Sequence, residues 1–325
     1  MKLATIENGT RDGQLVVVSR DLLRYQPAGD LAPTLQYALE NWSSVAADLT
    51  ARYEQLCAGE GGQPFQQARV RAPLPRAYQW LDASAFASHG VLMAKAFGRE
   101  PHDVAFPLMY QGASDSFLGA RDDIVLPREE DGIDFEAEIG VITGDVPMGT
   151  KAREAEAHIR LLVLINDVSL RVLAPIEMAT GFGWIRAKPS SSFAPVAVTP
   201  DELGGSLREG RVHLPVNVWW NGKPFGRPDA GEMAYSFSEL IEHAASTRSL
   251  TAGTIIGSGT VSNYASAEVG SACIAERRAI ETIEHGAPET GFMRFGDRVR
   301  IEMADAAGQP LFGAIDQVTK PINFR

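Results

Sequence analysis

Acidic and apolar residues alternate along residues 133 to 139, and this alternation constrains the fold more than any other feature of the chain. Successive side chains of a β-strand point to opposite faces. The apolar residues therefore share one face, and Asp134, Glu136 and Glu138 share the other. Two glutamates two residues apart on one face are close enough to bind one cation. The alternative is that the acidic side chains form the solvated outer face of an ordinary strand.

A third carboxylate favours the interpretation of this segment as part of a cation-binding site. The apolar run from Leu161 to Ile165 predicts a buried strand, and Asp167 follows it directly after Asn166. A carboxylate at the end of a buried strand needs a partner, because an unpaired buried charge is very costly. An oxygen-only ligand set suits Mg²⁺ or Ca²⁺, with Mn²⁺ as a third candidate, rather than zinc.

Four short segments of the chain form a larger pattern: Asp134-Phe135-Glu136-Ala137-Glu138-Ile139-Gly140, Asn166-Asp167-Val168-Ser169-Leu170-Arg171, Ala187-Lys188-Pro189 and Gly257-Ser258-Gly259-Thr260-Val261-Ser262. In this order and spacing they resemble the fumarylacetoacetate hydrolase family, over roughly residues 75 to 325. Each segment alone is a weak signal, whereas the four in order are specific. The resemblance implies an α+β, mainly β fold, with a β-roll or sandwich catalytic domain.

The resemblance implies a metal site and a catalytic base. Glu136, Glu138 and Asp167 match the family's metal ligands, and Asp82 matches a fourth, seven residues before His89. Asp82 would otherwise cap a helix running from Ser84 to Phe97. His89 is implied to activate the attacking water, since histidine accepts a proton near neutral pH. The alternative for His89 is a hydrogen-bonded structural role.

A glutamate is implied to orient His89, and Glu276 is its nearest counterpart. It lies two residues later than the family spacing from Thr260 predicts. Glu276 would instead pair with Arg277 or Arg278 if it lay on the surface. Glu268 is the rival candidate.

Lys188 follows a glycine-rich stretch and precedes a proline, which is not the pattern of a surface helix. A lysine beside a bound cation would stabilise an enolate or carboxylate oxygen; an ordinary surface lysine is the alternative. Closely spaced glycines let a backbone approach a ligand, although most such pairs are turns. The resemblance implies that Gly259, Thr260 and Tyr110 contact the substrate.

Two departures bear on the substrate. Ala113 and Ala174 stand where the founding enzymes of the family have a substrate-contacting arginine and glutamine. The resemblance therefore implies a metal-dependent hydrolase that cleaves a carbon–carbon bond in a β-diketone or acylpyruvate, through a metal-bound enolate and a water activated by His89. Fumarylacetoacetate itself is in doubt as the substrate. The alternatives are an oxaloacetate-type decarboxylase and a non-catalytic binding module.

Composition limits the partners. A formal net charge of −11 argues against nucleic acid and anionic membranes. No run approaches the ~18 apolar residues of a membrane span, and the N-terminus lacks the apolar stretch of a signal peptide. The two cysteines, Cys57 and Cys273, form no metal-type or redox-type pair. We expect a cytoplasmic protein with a small keto-acid or diketone substrate.

The N-terminal region predicts a small α/β module over residues 1–70, followed by the catalytic domain over residues 71–325. Two short strands joined at Asn8-Gly9 precede one helix that begins at Asp30 and ends near Gly59. Glycines and a proline at residues 60–64 indicate a linker.

The second half of the chain carries further local signals. Residues 212–220 predict a strand that turns at Asn221-Gly222, and Ser236 with Glu239 predicts a helix start. The family resemblance implies a homodimer. The adjacent Trp219 and Trp220 give weak support, since one of them would be exposed unless both are buried between layers.

Overall fold

The computed structural model describes residues 1–98, 100 and 105–323. The first ten strands are β1 (Lys2–Ile6), β2 (Gln14–Val18), β3 (Arg24–Pro27), β4 (Gln63–Pro64), β5 (Trp80–Ala83), β6 (Met109–Gln111), β7 (Ile124–Leu126), β8 (Ile133–Asp134), β9 (Ala137–Thr143) and β10 (Ile159–Asn166). They are followed by β11 (Ser169–Leu170), β12 (Ser192–Phe193), β13 (Ala197–Val198), β14 (Leu207–Arg208), β15 (Arg211–Val212), β16 (Asn217–Trp220), β17 (Lys223–Gly226), β18 (Ile255–Gly257), β19 (Arg298–Ala304) and β20 (Pro310–Pro321).

The α-helices are α1 (Leu35–Glu40), α2 (Trp42–Cys57), α3 (Ala87–Ala96), α4 (Ala152–Ala155), α5 (Ala174–Met178), α6 (Phe237–Ala244), α7 (Ser266–Val269) and α8 (Ile274–His285). Short 3₁₀ turns lie at Gln67–Arg69, Glu129–Asp131, Glu156–His158, Pro200–Ser206 and Ala230–Glu232. Within the described residues, no helix combines the length and apolar character needed to cross a membrane.

Two mixed sheets form the body of the protein. The larger sheet has the order β4-β3-β2-β1-β13-β10-β9-β18-β5-β6, with β12 paired to β10. The smaller sheet has the order β17-β16-β19-β20-β7. Neighbouring strands pair antiparallel except β18 with β5 and β20 with β7, which are parallel. The predicted mainly β, α+β architecture is confirmed.

Both faces of the larger sheet are buried. Since successive residues of a strand point to opposite sides, neighbouring residues of one strand belong to different cores. On one side, Leu3, Leu15 and Leu161 pack with the apolar stripe of α1 and α2. On the other side, Leu162 and Leu164 belong to a second core shared with the smaller sheet. Strands buried on both faces read as continuous apolar runs, which is the pattern of residues 161–165.

The N-terminal region extends the larger sheet. β1 pairs antiparallel with β2, as the Asn8-Gly9 pattern predicts, and its other edge pairs with β13 at Lys2 and Val198. The helical region departs from the predicted single helix. Thr34 caps α1 by accepting a hydrogen bond from the Tyr37 amide at 3.1 Å, whereas the Asp30 carboxylate binds Arg52 at 2.6 Å.

The hairpin predicted at Asn221-Gly222 is confirmed, and the positive φ values of both residues (51° and 74°) suit a two-residue turn. Its first strand is shorter than predicted, because β16 begins at Asn217. Pro215 precedes it and cannot donate to a strand ladder. Trp219 and Trp220 are both half-buried, so neither predicted alternative is correct. Ser236 begins α6 with the predicted capping box.

The antiparallel pairing brings several strand ends together at one end of the larger sheet. β10 and β9 run in opposite directions, as do β9 and β18, while β5 runs parallel to β18. The start of β9 therefore lies beside the ends of β10, β18 and β5. This end carries Glu138, Asp167 and Asp82, so the topology gathers carboxylates that are far apart in sequence.

Gly257 allows the strands that carry these carboxylates to lie close together. It pairs with Gly140 on one side and with Asp82 on the other. A Cβ atom at this position would lie 2.5 Å from Asp82 Oδ1 and 2.4 Å from the Trp80 ring. A side chain here would push β5 away from β9.

We predict that Gly257→Ala lowers the free energy of unfolding by about 1–3 kcal/mol, the usual cost of overpacking a core. Urea denaturation measures this effect. Gly291→Ala is the matched control, because a Cβ at Gly291 meets no atom within 4 Å. Equal denaturation midpoints for the two variants would contradict the prediction.

Candidate active site

Three buried carboxylates converge at the end of the larger sheet described above. One oxygen from each of Asp82, Glu138 and Asp167 lies within 4.8 Å of the others. Their side chains are shielded from solvent, with residue exposures of 4%, 0% and 0%. Each residue comes from a different strand or strand end, so the cluster exists only in the folded chain.

Glu138 is the least compensated member of the cluster. Neither of its carboxylate oxygens has a hydrogen-bond partner among the described residues. Burial raises the pKa of Glu138 well above its ordinary value, and the nearby charges of Asp82 and Asp167 raise it further. Burial, followed by the charge of Asp167, raises the pKa of Asp82 to about 8, although Asp82 Oδ1 accepts a hydrogen bond from the Gly259 amide at 3.0 Å.

Asp167 is held by several donors. Lys188 Nζ donates to one oxygen at 2.6 Å and the Tyr110 hydroxyl donates to the same oxygen at 2.5 Å. Ser191 Oγ donates to the other oxygen at 2.6 Å. Burial raises the pKa of Tyr110, and the adjacent Asp167 charge adds to the shift, so the phenol stays protonated as a donor. Asp167 is thus fixed in orientation with Tyr110 and Lys188 beside it.

Glu136 occupies a different part of the network from Glu138. One of its oxygens accepts hydrogen bonds from Lys188 Nζ at 2.7 Å and from the Ser169 hydroxyl, and the other accepts from the Thr260 hydroxyl. Arg171 lies 3.1 Å from Glu136. Although burial opposes it, the charges of Arg171 and Lys188 hold the pKa of Glu136 well below its ordinary value. The role of Glu136 as a metal ligand stays a prediction.

The structure rejects several of the alternatives drawn from the sequence. Asp134, Glu136 and Glu138 are buried, so this stretch is not a solvated outer face. Its alternation is also interrupted, because β8 ends at Asp134 and β9 begins at Ala137. Lys188 is 6% exposed and is not a surface lysine. Asp82 lies in β5, and Phe86 is the residue that precedes α3, so Asp82 is not a helix cap.

The cluster fits a hard divalent cation. Three carboxylates so close together repel one another, and one of them lacks any hydrogen-bond donor among the described residues. Lys188 faces Asp167 and Glu136, which leaves the negative charge of Asp82 and Glu138 without a direct cationic partner in the described contacts. Oxygen donors of this kind are the ligands that Mg²⁺, Ca²⁺ and Mn²⁺ prefer. Asp82, Glu138 and Asp167 are therefore the residues that would hold the ion.

His89 and Glu276 meet where α3 packs near the start of α8. His89 Nδ1 lies 3.7 Å from Glu276 Oε1, and Nδ1 is buried with no hydrogen-bond partner among the described residues. Glu276 is 1% exposed and accepts a hydrogen bond from Ser262 Oγ at 2.5 Å. It is therefore not a surface residue paired with a neighbouring arginine. Glu268, the rival candidate, is exposed on α7.

The glycine-rich segment packs against β5. Gly259 has a φ of 78°, and a Cβ there would lie 2.2 Å from the Ala83 carbonyl oxygen. Its amide binds Asp82 and the Thr260 hydroxyl binds Glu136, so both groups act on site carboxylates in this structure. Their predicted contact with substrate stays a prediction.

Several residues that hold the site together were not predicted from the sequence. Asp134 accepts hydrogen bonds from the Ile274 and Ala275 amides at 2.7 Å and 2.9 Å and from Arg171 Nε at 2.8 Å, which anchors the first turn of α8. Ser191 and Ser262 orient Asp167 and Glu276. Asp134, Arg171 and Ser262 lie inside the quoted motifs, so position within a motif was the available signal.

The chain belongs to the fumarylacetoacetate hydrolase family. The profile for the fumarylacetoacetate (FAA) hydrolase C-terminal region matches residues 79–317. The profile for the fumarylacetoacetase N-terminal domain 2 matches residues 1–76. The division into two domains at residue 70 stays a prediction. Strands from before and after this residue belong to the same larger sheet.

Two curated relatives illustrate the range of activities in the family. The chain is 31% identical over 157 residues to 2,4-didehydro-3-deoxy-L-rhamnonate hydrolase from Sphingomonas sp. (strain SKA58), which covers 47% of this chain and 52% of that protein. It is 26% identical over 157 residues to mitochondrial oxaloacetate tautomerase Fahd2a from Rattus norvegicus, which covers 47% of this chain and 48% of that protein. The matches span about half the length of each relative.

A solved structure supports the fold. Maleylpyruvate hydrolase from Sphingobium sp. SYK-6, in complex with manganese (II) ion and pyruvate, superposes with a TM-score of 0.68. The comparison covers 99% of this chain and 100% of that one at 16% identity. The likeness shows that the two chains share their fold.

We predict that Glu138→Gln abolishes divalent-cation binding while making the cation-free protein more stable. The raised pKa means that Glu138 takes up a proton on folding near neutral pH, and glutamine removes this cost while keeping the side-chain volume. Calorimetric titration with Mn²⁺ and urea denaturation measure the two effects. Asp316→Asn is the control: Asp316 is buried but paired with Arg121 and Arg298, so this variant should lose stability and keep the cation. Unchanged Mn²⁺ affinity in Glu138→Gln would overturn the ligand assignment.

We also predict that cation-free protein loses stability as pH rises. The pKa of Asp82 is about 8 in the folded state, against 3.8 ordinarily. Between these two pKa values the folded state holds a proton that the unfolded state has released. The contribution of Asp82 to stability is therefore full below about pH 4 and declines as the pH rises to about 8. Urea midpoints in chelator at several pH values measure the slope, and excess Mn²⁺ should remove it. A slope of the opposite sign in chelator would contradict the raised pKa.

Proposed function

We propose that the protein is a divalent-cation-dependent hydrolase that cleaves a carbon–carbon bond in an acylpyruvate or related β-diketone. The observation that carries the proposal is that the glycine-rich segment contacts two groups of candidate residues: the Gly259 amide binds Asp82, and the Ser262 hydroxyl binds Glu276. The uncompensated carboxylate cluster of Asp82, Glu138 and Asp167 suits the cation, and the half-buried His89 beside the buried Glu276 suits a general base. Mg²⁺, Ca²⁺ and Mn²⁺ are all compatible with the donor set.

When bound, the cation would act as a Lewis acid toward the oxygens of a 2,4-diketo acid. Lys188 and Tyr110 are placed to assist, because both donate to Asp167 at the edge of the cluster. A positively charged Lys188 stabilises negative charge that develops on a substrate oxygen. Burial lowers the pKa of this lysine less than Asp167 and Glu136 raise it, so Lys188 remains charged.

His89 is the residue placed to take a proton from water. Nδ1 faces Glu276, which leaves the other ring nitrogen to accept the proton of the attacking water. Glu276 would stabilise the imidazolium that forms, and Ser262 keeps the Glu276 carboxylate oriented. Attack on the carbonyl carbon is followed by cleavage of the carbon–carbon bond, and Lys188 stabilises the enolate that departs.

Ala113 and Ala174 argue for a substrate that differs from fumarylacetoacetate. They stand where the founding enzymes have a substrate-contacting arginine and glutamine, and an alanine side chain offers no hydrogen bond to a second carboxylate of a substrate. We therefore propose an acylpyruvate whose distal end is uncharged.

Decarboxylation of oxaloacetate is the second candidate, because it also generates an enolate that Lys188 would stabilise. The relative from Rattus norvegicus is called an oxaloacetate tautomerase, which acts on the same compound. A non-catalytic binding module is the third candidate. The presence of His89 and Glu276 in contact range favours an enzyme over a binding module.

The test is the loss of ultraviolet absorbance from acylpyruvates of different distal groups, measured with Mn²⁺, with Mg²⁺ and with chelator. Cation-dependent loss, accompanied by pyruvate formation, supports hydrolysis. Carbon dioxide release from oxaloacetate without acylpyruvate cleavage would replace the hydrolase proposal with the decarboxylase. Inactivity on the whole panel would favour a binding module.

We predict that His89→Ala lowers kcat for acylpyruvate cleavage by about 10²–10⁴-fold, the usual contribution of a positioned acid–base group. Mn²⁺ affinity should change little, because His89 is not among the three clustered ligands. Stopped-flow absorbance and calorimetry measure the two quantities. An undiminished kcat would remove His89 from the base role.

We further propose that the protein is a cytoplasmic homodimer. Family resemblance supports the dimer, and we place its interface near the β16–β17 hairpin, where it would cover the remaining exposed part of the half-buried Trp219. A twofold interface would bury the same patch from both chains.

Sedimentation equilibrium should therefore give about twice the 35.1 kDa chain mass at micromolar concentration. Trp219→Arg should shift the mass toward one chain, since a charge would be buried in the interface. A wild-type mass near that of one chain would contradict the dimer.

A further inference from the structure

An exposed segment, residues 175 to 186, contacts the candidate active site through one aromatic side chain. The chain leaves the site after the buried Leu173 and returns at Ala187, whose carbonyl accepts a hydrogen bond from the Leu170 amide at 2.8 Å. Between them, residues 175 to 186 are exposed except Glu177 and Trp184, which are half-buried. Phe182, at the tip, is 100% exposed. The segment therefore packs little apolar surface of its own.

Trp184 is the side chain that reaches the site. Its ring lies 4.7 Å from the Tyr110 ring, measured between centroids. Lys188 Nζ lies 5.4 Å from the Trp184 ring and 5.3 Å from the Tyr110 ring. The ammonium group that binds Asp167 and Glu136 is thus flanked by two aromatic rings, one of which comes from the exposed segment.

A carboxylate holds this segment in place. Glu177 Oε2 accepts hydrogen bonds from the Ile185 and Ala187 amides, and Oε1 accepts from the Arg186 amide, all at 3.0 Å. These three amides occupy the positions immediately before Lys188. Hydrogen bonds to an ionised acceptor are stronger than neutral ones, so this contact outweighs the others in the segment.

The rest of the segment gives little support of its own. Gly181 and Gly183 have φ values of 73° and 102°, and a Cβ on either would meet no atom within 4 Å. Thr180 Oγ1 donates to the Glu177 carbonyl at 2.7 Å, which closes a turn but does not reach Trp184. The position of Trp184 therefore depends on the amides that follow it and on the carboxylate that binds them.

We propose that Glu177 is a positioning residue. Its carboxylate accepts hydrogen bonds from the amides of residues 185–187, a contact that we call the clasp, and thereby fixes Trp184 and Lys188 at the active site. The effect on catalysis rests on the proposed function, whereas the clasp itself does not. Glu177 contacts backbone amides rather than reacting groups, so it acts through Trp184 and Lys188. Glutamine at this position would offer one acceptor oxygen and no charge, so at least one of the three amides would lose its acceptor.

The first test measures the clasp without any substrate. Hydrogen exchange of the amides of residues 185–187, followed by mass spectrometry, should accelerate several-fold in Glu177→Gln. Trp184 emission, obtained as the difference between each protein and its Trp184→Phe counterpart, should shift to longer wavelength as the ring becomes exposed. Unchanged exchange and unchanged emission would overturn the proposal.

Glu281→Gln is the matched control. Glu281 also binds consecutive backbone amides, those of Glu289 and Thr290 at 2.7 Å and 2.8 Å, but in the loop that follows α8. Its substitution should accelerate exchange in that loop and leave residues 185–187 and Trp184 emission as in the wild type. Urea denaturation confirms that both variants are folded.

The second test measures catalysis on an acylpyruvate that the wild type cleaves. Glu177→Gln should lower kcat by about 10–10²-fold, in the range that follows a displacement of about 1 Å at a catalytic group. Mn²⁺ affinity should stay the same, and Glu281→Gln should retain wild-type kcat. Glu177→Asp, which keeps the charge on a shorter side chain, should recover part of the loss.

The outcomes separate the two proposals. Faster exchange at residues 185–187 with an unchanged kcat would overturn the positioning role of Glu177. A wild type that cleaves no acylpyruvate would refute the proposed function, and the exchange and emission results would then decide the clasp alone. Loss of kcat together with faster exchange and red-shifted emission supports the proposal.

Discussion

The ion pairs of Lys188 hold the site together. Its ammonium group lies 2.6 Å from Asp167, which follows β10, and 2.7 Å from Glu136, which precedes β9 at the same end of this strand pair. Breaking a buried ion pair on one side leaves an uncompensated charge, which destabilises far more than the pair stabilises. Because Lys188 is committed to these two residues, it does not neutralise Glu138. The acidic groups that remain without a cationic partner are the reason that the cluster suits a divalent cation.

The fold supplies this arrangement through backbone proximity rather than through large side chains. Gly257 lies between Gly140 and Asp82 in adjacent strands, and it allows Trp80 and Asp82 to approach. The Gly259 amide then binds Asp82. The glycine-rich segment thus acts first on the carboxylates, and any contact with substrate would come in addition.

Residues that are not proposed to take part in the reaction hold the candidate site residues in place. Asp134 anchors the first turn of α8, which carries Glu276, and Ser262 orients the Glu276 carboxylate toward the side where His89 lies. Glu177 would hold the residues that precede Lys188 in the same way. In both cases a carboxylate binds backbone amides that are one to three residues from a site residue. The site therefore combines uncompensated carboxylates, which suit a cation, with fully satisfied ones, which fix the backbone.

The sequence by itself determined the elements with local signals and the identity of the family. The apolar run at residues 161–165 predicted a buried strand, Asn221-Gly222 predicted a hairpin, and Ser236 with Glu239 predicted a helix start, because each depends on neighbouring residues alone. The four ordered motifs also indicated the family and most of the residues that meet at the site. The break between α1 and α2 and the start of β16 were missed, since tertiary packing sets such boundaries.

The tertiary structure decided which charges lie together and which are satisfied. The spacing of Glu136 and Glu138 suggested one shared face, yet Glu136 is bound by Lys188, Ser169 and Thr260 while Glu138 has no donor among the described residues. The choice of Glu276 over Glu268 likewise depended on where α8 packs against α3. Neither result is encoded locally, because each requires segments that are distant in sequence to be brought into contact by the fold.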